Sequence, residues 1–391
     1  MKERMKIALI TNSRIPSLTA NSIQAMKVAQ ALMQLGHDLR IFAPAETKPV
    51  SQKTLLTHYG LSIAPPIELI PSIKILRRYD FVIRSQVAAE KFGAELIYTW
   101  LPQAAVFALT RKYAVVLEMH ADVAGKMGAW WLCQFWISNG IKRMTVTNQA
   151  LRNVLERSTK IEFADDAVIV APNGVELEKY QDLPNSSEAR RQLNLKDGLT
   201  VGFTGHIYPG RGAELLFELA QQMPAVNFLW VGGTPELVAF WREKLNEAQL
   251  TNVTMTGFVQ HERIPLYQAA SDILLMPYSR SISASSGQDI AEVINPMKMF
   301  EYMASGRTII SADLASIREV LNDGNAVFCE AGEIGIRDEG LGIRNWKKAV
   351  ESLLADESRR LILGTQAQKD VKRYTWIERE KRVMEAISRE L

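Results

Sequence analysis

The chain has 391 residues, 47% of them hydrophobic and 23% charged, with a formal net charge of +3. That length exceeds one ordinary core and calls for about two α/β domains. The mixed composition excludes a disordered or fibrous protein, and two cysteines, Cys133 and Cys329, exclude a disulfide framework and suit a reducing cytoplasm. Charged residues in Met1-Lys-Glu-Arg-Met-Lys-Ile7 stand where a signal peptide would carry its apolar run. No stretch approaches the roughly 18 consecutive apolar residues of a membrane span, so the expectation is a soluble or peripheral protein. Up to Leu183 there are 22 Lys+Arg against 16 Asp+Glu, and beyond it 24 against 27. A basic first half suits an anionic acceptor or membrane surface. No basic run is interleaved with aromatics as in a nucleic-acid-binding module, so nucleic acid is not expected as a partner.

In chain order, Met5–Thr11 reads as a buried parallel strand. After a polar loop, Asn21 or Ser22 is placed to cap a helix carrying Ile23, Met26, Ala29 and Met33. Gly36 ends that helix, and His37–Ala43 resumes as a strand. The loop lacks G-x-G-x-x-G, which argues against a dehydrogenase. Strand-like runs recur at 96–100, 114–118, 144–147 and 168–171, and Pro184-Asn-Ser-Ser187 is a turn-rich break. A second series follows at 199–204, 226–231, 253–255, 272–276, 308–310 and 326–329, and the tail 376–391 reads as a charged helix. Alternating strands and helices imply two doubly wound parallel sheets, with ligands at their carboxyl edges. The expected domains are residues 1–183, residues 184–372 and a terminal helix, 373–391, packing toward the first domain.

Three segments carry chemistry. In Asn295–Gly306, Asn295 is read as the N-cap, Pro296 as the first helical position and Gly306 as the stop. The amides of Met297, Lys298 and Met299 would then face an anion, with Glu301 one turn further in to accept from ribose hydroxyls. A capped surface helix with a Lys298–Glu301 pair is the plainer alternative. In Thr204–Ala213, Gly205, Gly210 and Gly212 permit tight backbone, Arg211 offers a forked donor for phosphate, and His206 adds another. In Leu117–Asp122, His120 follows a strand end, a place suited to a sugar hydroxyl. No Asp-x-Asp or Cys/His cluster has metal-ligand spacing, so no metal or other cofactor is expected.

These segments, in this order, resemble glycosyltransferase family 4. Glu118–His120, Pro172-Asn-Gly-Val175, Gly205–Gly212, Trp230-Val-Gly-Gly233, Thr256-Gly-Phe258 and Pro296–Gly306 are each similar to a family element. The resemblance implies the GT-B fold: two Rossmann-like domains facing across a cleft, with a C-terminal helix crossing back. It also implies a retaining, metal-independent transferase without a protein nucleophile. Its donor would be a nucleotide sugar, UDP- ahead of GDP- or ADP-sugars, and its acceptor a glycan or lipid-linked hydroxyl. Carried over, Arg211 and the amides after Pro296 hold the diphosphate, Glu301 the ribose, and His120 the transferred sugar. Two departures stand out. His206 replaces the arginine of the glycine loop, and Val293, with Glu292 beside it, replaces the first of two glutamates. These departures admit a non-catalytic nucleotide-sugar binding protein as the rival reading; an epimerase would need further carboxylates at the sugar. Lys126–Ile137, ending near Lys142-Arg143, reads either as a buried helix or as an interfacial one. Lys74–Arg84, with Arg77 and Arg78, is a second basic candidate.

Overall fold

The computed structural model describes residues 4–73, 76, 79–123, 125–283, 288–332 and 341–390, and the chain forms two compact units. The first comprises Met1–Asn173 with Trp376–Leu391, the second Gly174–Thr375. In the first unit β1 (Lys6–Ile10), β2 (Asp38–Pro44), β3 (Ile67–Ile70), β4 (Leu96–Thr99), β5 (Ala114–Met119), β6 (Lys142–Val146) and β7 (Val168–Val170) form one sheet. Its order is β3-β2-β1-β4-β5-β6-β7 and its ladders are parallel. The runs of Ile, Leu, Val and Ala in β1, β4 and β5 are buried because helices cover both faces of such a sheet. Strand order reverses between β1 and β4, the position at which open sheets leave a ligand crevice.

The second unit repeats the design. β8 (Thr200–Thr204), β9 (Asn227–Val231), β10 (Val253–Gly257), β11 (Ile273–Met276), β12 (Thr308–Ala312) and β13 (Val327–Cys329) run β10-β9-β8-β11-β12-β13, again parallel. The order reverses between β8 and β11. The core of this unit includes Phe203, Trp230, Leu274, Phe300, Tyr302 and Trp346.

Several expectations need correction. The first boundary lies at Asn173, not Leu183, because Val175 and Tyr180 are buried in the second unit's core and the Val175 amide donates to Tyr374 O at 2.9 Å. Pro184–Ser187 is an internal turn, where the Asn185 side chain caps the Ser186–Gln192 helix. The last segment begins at Trp376 rather than 373, since Val371 still packs in the second core. The first long helix, Ala20–Gln34, is capped at Thr19, and Ser22 is buried instead with its hydroxyl 2.5 Å from Tyr59 OH. β3 was not foreseen: it is a four-residue edge strand between Pro66 and Pro71, and only Ile70 is fully buried.

The Gly125–Ile137 helix buries Leu132 and Phe135 and leaves Met127, Trp130 and Ile137 exposed. Of the Lys74–Arg84 candidate, Arg77 and Arg78 lie outside the described residues. Among the described residues no helix is long and apolar enough to cross a membrane.

Candidate functional site

In the first unit the features gather where β4 and β5 end. All six residues of β5 are buried, and the fifth is Glu118. A carboxylate buried in apolar surroundings must be paired and fully hydrogen-bonded, and here it is. Arg379, from the Trp376–Ser388 helix, reaches it with a fork: Nη2 to Oε1 at 2.5 Å and Nη1 to Oε2 at 3.3 Å. The Tyr98 hydroxyl donates to Oε2, and the Gln24 amide donates to Oε1 at 2.7 Å. His120 Nε2 lies 2.6 Å from the same Oε1. Burial pushes the Glu118 carboxyl up, but the Arg379 charge and the bonds from His120 and Tyr98 outweigh it and hold it at about 2.

Arg379 is equally well used. Its Nε donates to the carbonyls of Ala171 and Pro172 at 3.2 and 3.1 Å, so the turn after β7 is pinned to the same guanidinium. It also pairs with Glu380, fully buried beside it. Burial, together with the Glu118 charge and against the pull of Arg379, raises Glu380 to about 7. His120 keeps a side-chain exposure of 20% and is packed edge-on by Trp100 at 6.4 Å.

In the second unit the features gather at the switch point between β8 and β11. The loop after β8 is pressed against its neighbours. A Cβ on Gly212, whose φ is +86°, would meet Pro277 O at 2.1 Å. A Cβ on Gly205, at φ +126°, would meet Lys298 Nζ at 2.9 Å. Side chains are excluded there for steric reasons as well as by the backbone. Within the loop His206 stacks on Tyr208 at 4.9 Å, and Arg211 lies over the same ring at 5.7 Å.

Against this loop stands the Met297–Ser305 helix. Its N-cap is Pro296 and not Asn295, and no side chain caps it. The Met299 amide is spent on Pro296 O at 3.0 Å, and its side chain is in the core, so Met299 leaves the set of anion-facing amides. The amides of Met297 and Lys298 have no backbone partner among the described residues. The helix is fixed by Tyr302, whose hydroxyl accepts from the Thr204 amide at 2.7 Å. Glu301, half-buried, accepts from Gln268 Nε2 at 3.3 Å.

Lys298 is the anomaly. Its ammonium is buried 3.8 Å above the Phe203 ring with no hydrogen-bond partner among the described residues, and Arg211 Nε is in the same condition. Burial first, then the Arg211 charge, holds the amine well below its usual range, against the opposing effect of Glu301. A buried ammonium and the buried, unpartnered Nε of a half-buried guanidinium, beside an uncapped helix start, are donors of the kind a dianionic group requires.

Of the departures noted in the sequence, Val293 is buried and Glu292 exposed. The neighbouring loop is organised by Asp289, which accepts from the amides of Ile282 and Ala291 at 3.0 Å each. The part of the 285–294 loop at 285–287 lies outside the described residues. Among the described residues no group of three or more His, Cys, Asp or Glu is arranged to hold a metal ion.

Sequence reasoning missed Gln24, Tyr98 and above all Arg379. A signal for Arg379 existed: Trp376, Arg379, Glu380, Val383, Met384 and Ile387 fall on one face of a 3.6-residue helix, with two charges set in an apolar stripe.

Two Rossmann-like units with these strand-end features define the GT-B architecture of glycosyltransferases. Residues 22–179 match the family model described as Glycosyltransferase Family 4, and residues 198–371 the one described as Glycosyl transferases group 1. The chain belongs to this family of GT-B glycosyltransferases. It is similar to a glycosyltransferase assigned to teichuronic acid biosynthesis in Bacillus subtilis (strain 168), at 31% identity over 41% of this chain and 38% of that protein. It is also similar to the D-inositol 3-phosphate glycosyltransferase of Nocardia farcinica (strain IFM 10152), at 24% identity over 57% of this chain and 48% of that one. The matched regions therefore span less than half the length of these relatives. Among solved structures, Anabaena Alr3699/HepE in complex with UDP has the same fold, with a TM-score of 0.76 and 17% identity over 98% of this chain and 100% of that one. Sucrose-phosphate synthase from Thermosynechococcus elongatus gives 0.73 and 18%, over 99% of each chain.

Proposed function

We propose that the protein is a retaining, metal-independent glycosyltransferase that moves a sugar from a nucleotide sugar to an acceptor hydroxyl. The observation that carries this reading is the buried ammonium of Lys298 together with the buried Nε of half-buried Arg211, both without hydrogen-bond partners among the described residues, beside the start of the Met297–Ser305 helix. Such donors stabilise charge that develops on a departing diphosphate, the work a metal ion does in other transferases. The acceptor hydroxyl attacks the anomeric carbon on the leaving-group side as the bond to the diphosphate breaks, and its proton passes toward the β-phosphate. Glu301 binds the ribose and His120 the transferred sugar, as the family resemblance implies. UDP-sugars are the first choice of donor, consistent with the UDP complex of the Anabaena protein. The acceptor is a glycan or lipid-linked hydroxyl of cell-surface polysaccharide synthesis. The exposed Met127, Trp130 and Ile137 suit contact with the inner face of a membrane.

A binding-only protein is the competing reading, and the burial of Val293 with Glu292 turned to solvent favours it. The two separate by release of nucleotide from UDP-, GDP- and ADP-sugars in EDTA. Turnover with EDTA present supports transfer without metal, while binding with no release in any case rejects the enzyme. Product anomer by NMR reads retention. Arg211→Ala is expected to weaken UDP about tenfold or more, on the scale of a charged hydrogen bond of about 1.5–3 kcal/mol, with little change in thermal stability. Unchanged UDP affinity would remove Arg211 from the site.

A further inference from the structure

The Trp376–Ser388 helix places a charged pair in the interior of the first unit, and the role of that pair is readable from its geometry. Glu118 Oε1 is the shared acceptor of Arg379 Nη2, Gln24 Nε2 and His120 Nε2. Gln24 has two N–H groups, and these are met by Glu118 Oε1 at 2.7 Å and Asn173 Oδ1 at 3.0 Å. At 2.6 Å from a carboxylate oxygen, His120 Nε2 must carry a proton and donate it. The Trp100 indole N–H, 3.3 Å away, also points at this nitrogen, and Gln24 Nε2 stands 2.6 Å from it, so both make the opposite demand on Nε2. The ionised carboxylate is nearer than the indole, and both Gln24 N–H groups are already given to oxygens, so the charged bond to Glu118 decides the tautomer. With the proton on Nε2, the lone pair of the neutral ring lies on Nδ1.

We infer that Arg379, through its forked ion pair with Glu118, is a positioning residue for His120 and fixes the imidazole as the Nε2–H tautomer that accepts from a substrate hydroxyl. The inference rests on the assignment of His120 to the transferred sugar. Arg379 touches no substrate in this scheme. It holds both oxygens of Glu118 in plane, and Glu118 in turn orients the ring, as an outer partner orients a ligating or catalytic histidine. The donors that grip the diphosphate belong to the other unit, so nucleotide affinity is not expected to depend on this chain of contacts.

Glu118→Gln is the first test. The substitution keeps shape, and Glu380 remains beside Arg379 to balance its charge. Arg379→Gln and Arg379→Lys are the second pair, with the lysine retaining one charge at the same place. The readouts are 15N NMR of the His120 ring, calorimetric UDP affinity, and steady-state UDP release from UDP-glucose, or GDP release from GDP-mannose where that is the donor turned over. The native chain is expected to show the Nε2–H form. Glu118→Gln and Arg379→Gln lose it, kcat falls about 10–100-fold, and UDP affinity changes less than about twofold. Arg379→Lys recovers part of kcat. In a His120→Ala background, Arg379→Gln adds no further loss, because its effect runs through the missing ring. A native ring protonated on Nδ1, full kcat in the glutamine variants, or additive losses in the double variant each overturn the inference. Should the native chain release no nucleotide from any donor, the transferase reading fails and takes the catalytic consequence with it, whatever the NMR tautomer.

Discussion

Two groups of buried charge sit at strand ends of the two units, one after β4 and β5 and the other after β8, and they are built oppositely. Around Glu118 the charges are matched: one guanidinium faces two carboxyls, and both Glu118 oxygens and all the nitrogens of Arg379 are engaged. Around Lys298 they are not matched, since two cations share the space and an ammonium faces an aromatic ring instead of an oxygen. The Glu118–Arg379 pair is fully engaged and holds a geometry, although Glu380 Oε2 and Gln24 Oε1 beside it are buried without partners among the described residues; the unpartnered cationic donors around Lys298 are suited to an anion. The same Rossmann-like frame serves both ends because ligand-facing groups ride on strand ends while the sheets beneath remain apolar.

The sharpest way to break the contrast is to delete one cation from each group. Arg379→Met leaves Glu118 buried without its partner and is expected to cost about 3–5 kcal/mol in urea unfolding. Lys298→Met removes a buried charge that has no oxygen to bind, so stability is expected to hold or rise. UDP affinity in that variant falls tenfold or more. If Lys298→Met destabilises as much as Arg379→Met, the two groups do not differ as described.

Titration of Glu380 gives the next effect. Its folded value of about 7 lies above its ordinary 4.5, so the folded protein binds the extra proton between these limits and stability falls as pH rises from 4.5 to 7. Glu380→Gln is expected to leave stability near unchanged at pH 5 and to raise it at pH 8 by about 1–3 kcal/mol. A loss at pH 8 would mean that the carboxylate is needed in its charged form. Glu118 behaves with the opposite sign: its stabilisation is present above 4.5 and drains away as pH falls toward 2.

The smallest expected effect concerns Lys298. Its amine is held well below 10.5 in the folded chain, chiefly by burial, so stability gains as pH climbs toward that value. A diphosphate favours the charged amine, so UDP affinity should weaken over the same climb, and binding should take up protons. Arg211, Glu301 and the Tyr278 ring face the same ammonium. Calorimetry in buffers of different ionisation enthalpy measures the uptake; none at any pH would show that Lys298 stays charged throughout.

The sheets were legible because buried parallel strands are short apolar runs, and β3 escaped because an edge strand between prolines carries little of that pattern. The glycine loop and the helix start at Pro296 were legible as local signals; the cap at Asn295 was not correctly assigned, because a side chain's cap bond depends on the approach of the chain. Lys298 was read for its amide and as a possible surface partner of Glu301, while its side chain turned out to be buried over Phe203, a contact 95 residues away in sequence. Arg379 and Glu118 lie 261 residues apart. Each alone reads as an ordinary charge, and only the fold brings them together.

That separation has a consequence for synthesis on the ribosome. The first unit's sheet is complete in sequence by Val170, yet the counter-ion of its interior carboxylate is encoded after the whole of residues 174–375. At about 5–20 residues per second the nascent sheet waits roughly 10–40 seconds for Arg379. The unit made first is thus the one finished last, and a chain that stops before Trp376 leaves Glu118 with no guanidinium to meet it.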